Sequence, residues 1–543
     1  MLAALLLLLG LYAYFWGRLY SNYLLVRDDP ANIAGTLAGG VRGWLSRGMA
    51  GYYHVYPEWP QTAFSNFYRP VWNLTIFIER MSLGEAYWAW FLVYAAAQYV
   101  GACLFLRLLR SLGTPPRPAF LFAILFLFNP AFLNSGFIYP GFQFDVFVAL
   151  LLLSALSQLF EGRFWLALAL ITAAVLTKET AIFAPVAAAI TVFILKRDVK
   201  WSAAMLAPVL VWIAARWLAY HAVLGGTFAS PATIGELLAN VGKGLIVWPS
   251  GEVNANGPLQ LSGAKGVALC AALLVNAALW AVLGYAAWQV VRGLRRTPWT
   301  PEGSRQAVLL IWTLGALSFC LLTRPQTRFG ASFYVFLLLF LAYFLFVGAR
   351  RRWLKAATPL LLSLVTLLHG GEFLRGAIAN IAEDRKGETA LFAALRSLPQ
   401  DGRAVSIVNA PNMLSAPALL EKSWNLRLDL TFIDQFGGCW RAGAGDVRYD
   451  PSSASLAVEI PSCASYLFAG VPSDIQAKAA AGGFLRPGLG VYDFPDHREG
   501  RRRSSGDIDF GRTLRVRFVR PPGTILAYDW RQGAYRVLGS EPR

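Results

Sequence analysis

Residues Phe164 to Lys196 read FWLALALITAAVLTKETAIFAPVAAAITVFILK: two uncharged apolar runs joined by adjacent Lys178 and Glu179. Arg163 precedes the first run, and Lys196, Arg197 and Lys200 close the second. Apolar runs of about 20 residues with their flanks cross a hydrocarbon core as helices, because a helix satisfies its own backbone groups where no water can. The stretch therefore predicts two antiparallel spans, at 164 to 177 and 180 to 195. Their arginine- and lysine-flanked ends lie on one side and the Lys178-Glu179 turn on the other.

The same pattern recurs along the 543 residues, which are 56% hydrophobic and only 15% charged. Spans are expected near 2 to 20, 86 to 106, 119 to 135, 144 to 160, 164 to 177, 180 to 195, 201 to 223, 266 to 291, 307 to 323, 329 to 348 and 356 to 373. The basic clusters around Arg107, Arg163, Lys196, Arg292 and Arg350 fall on alternate connections, as expected of cytoplasmic loops. This parity predicts about eleven transmembrane helices, a cytoplasmic N-terminus and an external tail. Met1 to Tyr20 lacks a basic start and a small-residue cleavage site, and it reads as a retained span with Tyr12, Tyr14, Phe15 and Trp16 as interface anchors.

The fold class is thus a polytopic α-helical membrane protein with a C-terminal soluble α/β domain. Residues 1–373 form the transmembrane domain, with a long first external loop at 21–85 and a second at 224 to 265. In the first loop Ile33, Leu37, Val41, Trp44 and Leu45 recur at helical spacing, as in a helix lying in the membrane interface. Residues 374–543 are charged and broken by Pro and Gly. They alternate helical stretches (380 to 398, 473 to 482) with β-type runs at Ala404 to Val408 and Leu514 to Val519.

The net charge of +18 sits in short clusters between apolar runs, which reads as membrane orientation and not as a nucleic-acid surface. Cys103, Cys270 and Cys320 fall within spans as small core residues, whereas Cys439 and Cys463 lie in the tail, where spacing leaves a disulfide open. Arginine outnumbers lysine, which points to a bacterial inner membrane with a periplasmic tail.

Ionisable groups at membrane boundaries are costly to keep. Asp28 and Asp29 follow the first span, Asp145 opens the fourth, Lys178 and Glu179 join the fifth and sixth, and Arg324 and Arg328 join the ninth and tenth. All map to the external face. Alone, each is what a loop end ordinarily carries, and Lys178 beside Glu179 also fits a purely structural ion pair. Together, a carboxylate pair supplies a base or a divalent-cation ligand, and the cations supply donors to a phosphate. His54 and Glu58, within His54-Val-Tyr-Pro-Glu58, add polar groups on the same loop. No Walker-type loop, nucleophile elbow, His-Glu-x-x-His or Cys-x-x-Cys pair occurs, and the four histidines are too dispersed for a zinc site.

These residues resemble a pattern in GT-C glycosyltransferases that use polyprenyl-phosphate sugars, in particular the transmembrane O-mannosyltransferases with TPR repeats. The motifs are Asp28-Asp29, Phe67-Tyr68-Arg69-Pro70-Val71, Asn129-Pro130, Gly141-Phe-Gln-Phe-Asp145 and Thr177-Lys178-Glu179, with a looser match at Arg328 and Tyr334. The chain departs from the family in three ways. Phe144 stands where an arginine is usual, Arg328 lacks an acidic neighbour and a close tyrosine, and an α/β tail replaces the TPR repeats.

The resemblance implies an inverting transferase, metal-independent or weakly metal-assisted, whose donor is a polyprenyl-phosphate sugar. Asp28 or Asp29 would be the base, Arg69, Lys178 and Arg328 would bind the donor phosphate, and His54, Glu58, Tyr68, Asp145, Glu179 and Arg324 would orient substrate. The acceptor would be a glycan, lipid or protein hydroxyl. A lipid-linked substrate transporter or flippase is the rival reading, and it requires polar groups at mid-depth such as Arg216. A non-catalytic membrane scaffold is a third.

Overall fold

The structure is a computed structural model and describes residues 2–19, 69–84, 86–129, 132, 144–220, 263–296, 300–322, 331–348, 352–408, 424–433, 436–437, 446–459, 465–466, 484–486, 489–496, 512–529 and 532–539. They divide into two compact units. Met1–Tyr14, Phe67–Thr75 and Ala86–Ala377 bound the first; Phe15–Asn66, Ile76–Glu85 and Ile378–Arg543 bound the second.

The helices are α1 (Leu2–Leu19), α2 (Pro70–Leu83), α3 (Tyr87–Ser111), α4 (Pro116–Leu127), α5 (Phe144–Glu161), α6 (Phe164–Thr177), α7 (Phe183–Lys196), α8 (Val199–Ala204), α9 (Ala207–Tyr220), α10 (Gly263–Arg296), α11 (Pro301–Leu322), α12 (Ala331–Tyr343) and α13 (Arg352–Ser397). Among the described residues, five segments are long and apolar enough to cross a membrane: Trp88–Ser111, Phe144–Glu161, Glu179–Lys196, Val199–Leu218 and Leu274–Arg296. Leu2–Tyr14, Pro116–Leu127, Phe164–Thr177 and Ser332–Gly348 are shorter apolar helices.

Several boundaries differ from the sequence reading for local reasons. α4 stops at Leu127, short of 135, because Pro130 disfavours helical backbone at Asn129. The span expected over 201 to 223 is two helices: Pro208 lacks an amide hydrogen and its ring crowds the carbonyl of Ala204, the residue where α8 ends. The first loop, expected over 21–85, closes in the helix α2, which Pro70 starts with a preset φ at the position where its missing donor costs nothing. The span expected to end at 373 and the helix expected from 380 are one rod, α13. It holds Pro359 near its start and no proline after it.

Packing within the first unit depends on close approach and on back-bonded threonines. At Gly101 of α3 a Cβ would stand 3.0 Å from the Phe126 ring of α4 and 3.1 Å from Leu150 of α5, so glycine lets these three helices close up. Thr191 Oγ1 bonds its own Ala187 carbonyl at 2.7 Å and accepts Trp312 Nε1–H at 3.0 Å, tying α7 to α11. The Trp312, Phe183 and Phe336 rings pack around that bond. Cys103 is half-buried with a free thiol, rather than in the core.

In the second unit the strands are β1 (Ala404–Val408), β2 (Asp429–Phe432), β3 (Phe436–Gly437), β4 (Val447–Asp450), β5 (Ser455–Glu459), β6 (Ser465–Tyr466), β7 (Phe484–Arg486), β8 (Gly490–Asp493), β9 (Thr513–Phe518), β10 (Thr524–Asp529) and β11 (Ala534–Gly539). A four-stranded sheet runs in the order β11-β10-β1-β2, with β1 parallel to both β10 and β2. A five-stranded antiparallel sheet runs β4-β5-β9-β8-β7, and β3 pairs with β6. Leu391 and Leu395 of α13 bury against Val405, Ile407, Leu430, Phe432 and Leu526. The expected strands at 404–408 and 514–519 correspond to β1 and β9. The expected helices at 33 to 45 and 473 to 482, and Cys439 and Cys463, lie outside the described residues.

Candidate functional site

Arg69 stands immediately before Pro70, which holds it out of the helix while its carbonyl accepts the first helical bond, from Asn73 N at 3.0 Å. Asp145 lies in the first turn of α5, where the helix dipole favours a carboxylate. Lys178 is an extended residue (φ −158°, ψ 136°) between α6 and the 3₁₀ turn Glu179–Ala181. An extended residue followed by a helical one sends consecutive side chains in different directions, so Lys178 and Glu179 take separate partners.

Lys178 Nζ donates to Asp145 Oδ1 at 2.5 Å. Arg69 grips Glu179 at two points, Nε to Oε2 at 2.9 Å and Nη2 to Oε1 at 2.5 Å. All four residues are buried: Arg69 is 5% exposed, Asp145 3%, Lys178 0% and Glu179 1%. The two pairs meet at one ring. Phe144 has Lys178 Nζ at 4.2 Å and Arg69 Cζ at 4.9 Å from its centroid, and the Trp72 ring packs edge-on against it at 5.3 Å. Tyr94 supports the same region, donating from its hydroxyl to the Phe132 carbonyl at 2.8 Å.

The cluster has two positive and two negative groups and so no net charge. Burial pushes Lys178 down to about 8, and Asp145 pulls in the opposite direction. Nearby Arg69 lowers it further and Glu179 raises it, so the two pairs lie within electrostatic reach of each other. Fork-shaped and ammonium donors of this kind fit carboxylate and phosphate oxygens alike.

Of the residues expected to form the site, Arg69, Asp145, Lys178 and Glu179 come together. Asp28, Asp29, His54, Glu58, Tyr68, Arg324 and Arg328 lie outside the described residues. Tyr334 is buried on α12 with its hydroxyl 3.1 Å from Thr366 Oγ1. Arg216, the mid-span cation a transporter would need, is buried on α9 with its guanidinium 4.9 Å over Trp212. Phe144 and Trp72 are the residues the motifs did not single out as part of the site. For Phe144 the sequence signal is its place where an arginine is usual in the pattern that the motifs resemble; Trp72 has none. Among the described residues no group of three or more His, Cys, Asp or Glu is placed to hold a metal ion.

No protein-family model matches this chain, and no curated protein matches it in sequence. Among solved structures, the crystal structure of ArnT from Cupriavidus metallidurans bound to undecaprenyl phosphate is similar, at 13% identity over 79% of this chain and 86% of that one. The TM-score is 0.42, an overlap that fixes no residue's role in this chain.

Proposed function

We propose that this chain is a membrane glycosyltransferase that moves a sugar from a polyprenyl-phosphate donor to an acceptor hydroxyl at the external, periplasmic face of a bacterial inner membrane. The observation that carries the reading is the buried pair of cations, Arg69 and Lys178, gathered at the ends of apolar helices. A lipid-linked sugar phosphate has an apolar tail and an anionic head, and it calls for cationic donors at the end of an apolar surface.

In this reading one of Asp28 or Asp29 takes the proton of the acceptor hydroxyl as that oxygen attacks the anomeric carbon, inverting it. The bond from that carbon to the phosphate oxygen breaks. Arg69, Lys178 and Arg328 stabilise the charge growing on the departing polyprenyl phosphate. Asp145 and Glu179 hold the cations until the phosphate replaces them as partners. His54, Glu58, Tyr68 and Arg324 contact the sugar or the acceptor.

One observation favours a second reading: both cations already have a carboxylate partner, as in a cluster that only ties helices together. The experiment that separates the two is transfer from a radiolabelled polyprenyl-phosphate sugar in membranes. Asp28→Asn and Asp29→Asn, made singly, are expected to remove turnover in at least one case with expression intact. Full turnover in both ends the transferase assignment. The double change Lys178→Met/Asp145→Asn keeps the neutrality of its pair, and retained turnover in it favours the purely structural cluster.

A further inference from the structure

Both cations of the cluster converge on the Phe144 ring. The ring is buried at 3% exposure, with Lys178 Nζ 4.2 Å and Arg69 Cζ 4.9 Å from the centroid. An aromatic face carries negative charge density and attracts a cation within about 6 Å of its centroid, most strongly where water is excluded. The ring cannot turn freely to offer that face elsewhere, because Trp72 packs edge-on against it at 5.3 Å and Phe147, one turn along α5, packs against Trp72 at 6.2 Å.

The carboxylates alone do not fix where the cations sit relative to each other. Glu179 grips Arg69 and Asp145 grips Lys178 by hydrogen bonds, and the two acids belong to different segments. The ring serves both. When an anionic ligand draws the two cations away from their carboxylates, the ring contact does not compete with the ligand, since it engages the π face and leaves N–H donors for oxygen.

We propose that Phe144 is a positioning residue of the donor site: its ring is the common seat that sets Arg69 and Lys178 at a spacing that two oxygens of one lipid-linked phosphate can bridge. The proposal deepens the donor reading above and rests on it.

The test replaces Phe144 in the full chain, in detergent, with mono-, di- and trifluorinated phenylalanine, which keep the ring's shape while withdrawing charge from its face. Binding of farnesyl phosphate, a short polyprenyl monophosphate, is measured for each variant. Affinity is expected to fall stepwise with fluorine count, reaching about tenfold for the trifluorinated ring. Phe144→Leu is expected to lose at least as much, and Phe144→Tyr to restore most of it. A residue that merely fills space would show no fluorine trend.

Equal affinity across the series overturns the role of Phe144 and leaves the donor reading standing. No binding of farnesyl phosphate to the unaltered chain overturns the donor reading instead. In that event thermal melting still decides whether the ring holds the cations: fluorination lowers Tm in the unaltered background and leaves it unchanged in Arg69→Met/Lys178→Met/Asp145→Asn/Glu179→Gln, which strands no charge, if it does, and shifts both backgrounds equally if it does not.

Discussion

Arg69 and Glu179 lie 110 residues apart in sequence and meet through a two-point fork, Nε to Oε2 at 2.9 Å and Nη2 to Oε1 at 2.5 Å, with both side chains buried. Removing one member leaves the other charge without its partner in a dry site. Glu179→Ala is expected to cost about 3 to 5 kcal/mol, and Arg69→Met/Glu179→Met distinctly less, because no charge is stranded. Thermal melting of the purified chain in detergent checks this. Equal losses in the single and double variants would show that the pair contributes by packing alone.

Lys178 gives a dependence on pH. Burial lowers its pKa to about 8, so the ammonium is complete below that pH and is lost above it. A phosphate monoester is already close to a dianion above pH 7, its second pKa being about 6, so the ligand's own charge changes little between pH 7 and 9. Farnesyl phosphate affinity is therefore expected to fall as pH rises through 8. In Lys178→Arg, whose charge does not titrate there, the fall should vanish. An identical inflection in both chains would assign it to another group.

Glu79 on α2 is 6% exposed, and among the described residues neither carboxylate oxygen has a hydrogen-bond partner. Burial raises its pKa from 4.5 to about 8. A group whose pKa is raised on folding favours the folded state most below its unfolded pKa, and the advantage declines as pH climbs toward the folded one. The Tm of the unaltered chain is thus expected to drop from pH 5 to pH 8 relative to Glu79→Gln, which carries no titrating proton. Parallel Tm curves for the two chains would contradict the raised pKa.

Gly523 has a left-handed φ of +67°, and a Cβ there would run into the Ala404 carbonyl at the start of β1. Gly523→Ala is expected to destabilise the β1–β10 pairing by more than about 2 kcal/mol, combining backbone strain with a clash against an atom that cannot move aside. Limited proteolysis should then cut after residue 400 at lower protease concentration, while segments of the first unit keep their resistance. Unchanged resistance throughout would refute the clash.

How much of this was legible in the sequence differs by residue. Lys178 and Glu179 stood out because two adjacent charges interrupt apolar runs. Asp145 is legible as a charge that opens an apolar span, and Arg69 through a short motif. The sequence did not reveal which cation pairs with which acid, since that depends on how segments 33 and 110 residues apart approach each other. Phe144 reads only as a departure from the motif, because an aromatic at the start of an apolar helix looks like any other core residue. The break between α8 and α9 was readable in Pro208, but the continuous hydropathy of the stretch masked it. α13 went the other way: the shift from apolar to charged composition near 374 resembles a boundary, yet nothing there stops the hydrogen-bond ladder.

The 110-residue separation of Arg69 and Glu179 also has a bearing on how the chain is made. Translation delivers Arg69 well before its partner exists, and five described helices, α2 to α6, must be synthesised before Glu179 leaves the ribosome. At about 5 to 20 residues per second, the guanidinium waits several seconds or longer for neutralisation. Assembly of the cluster is thereby a late event of biogenesis, and a nascent chain arrested before residue 179 would still carry that arginine without its acid.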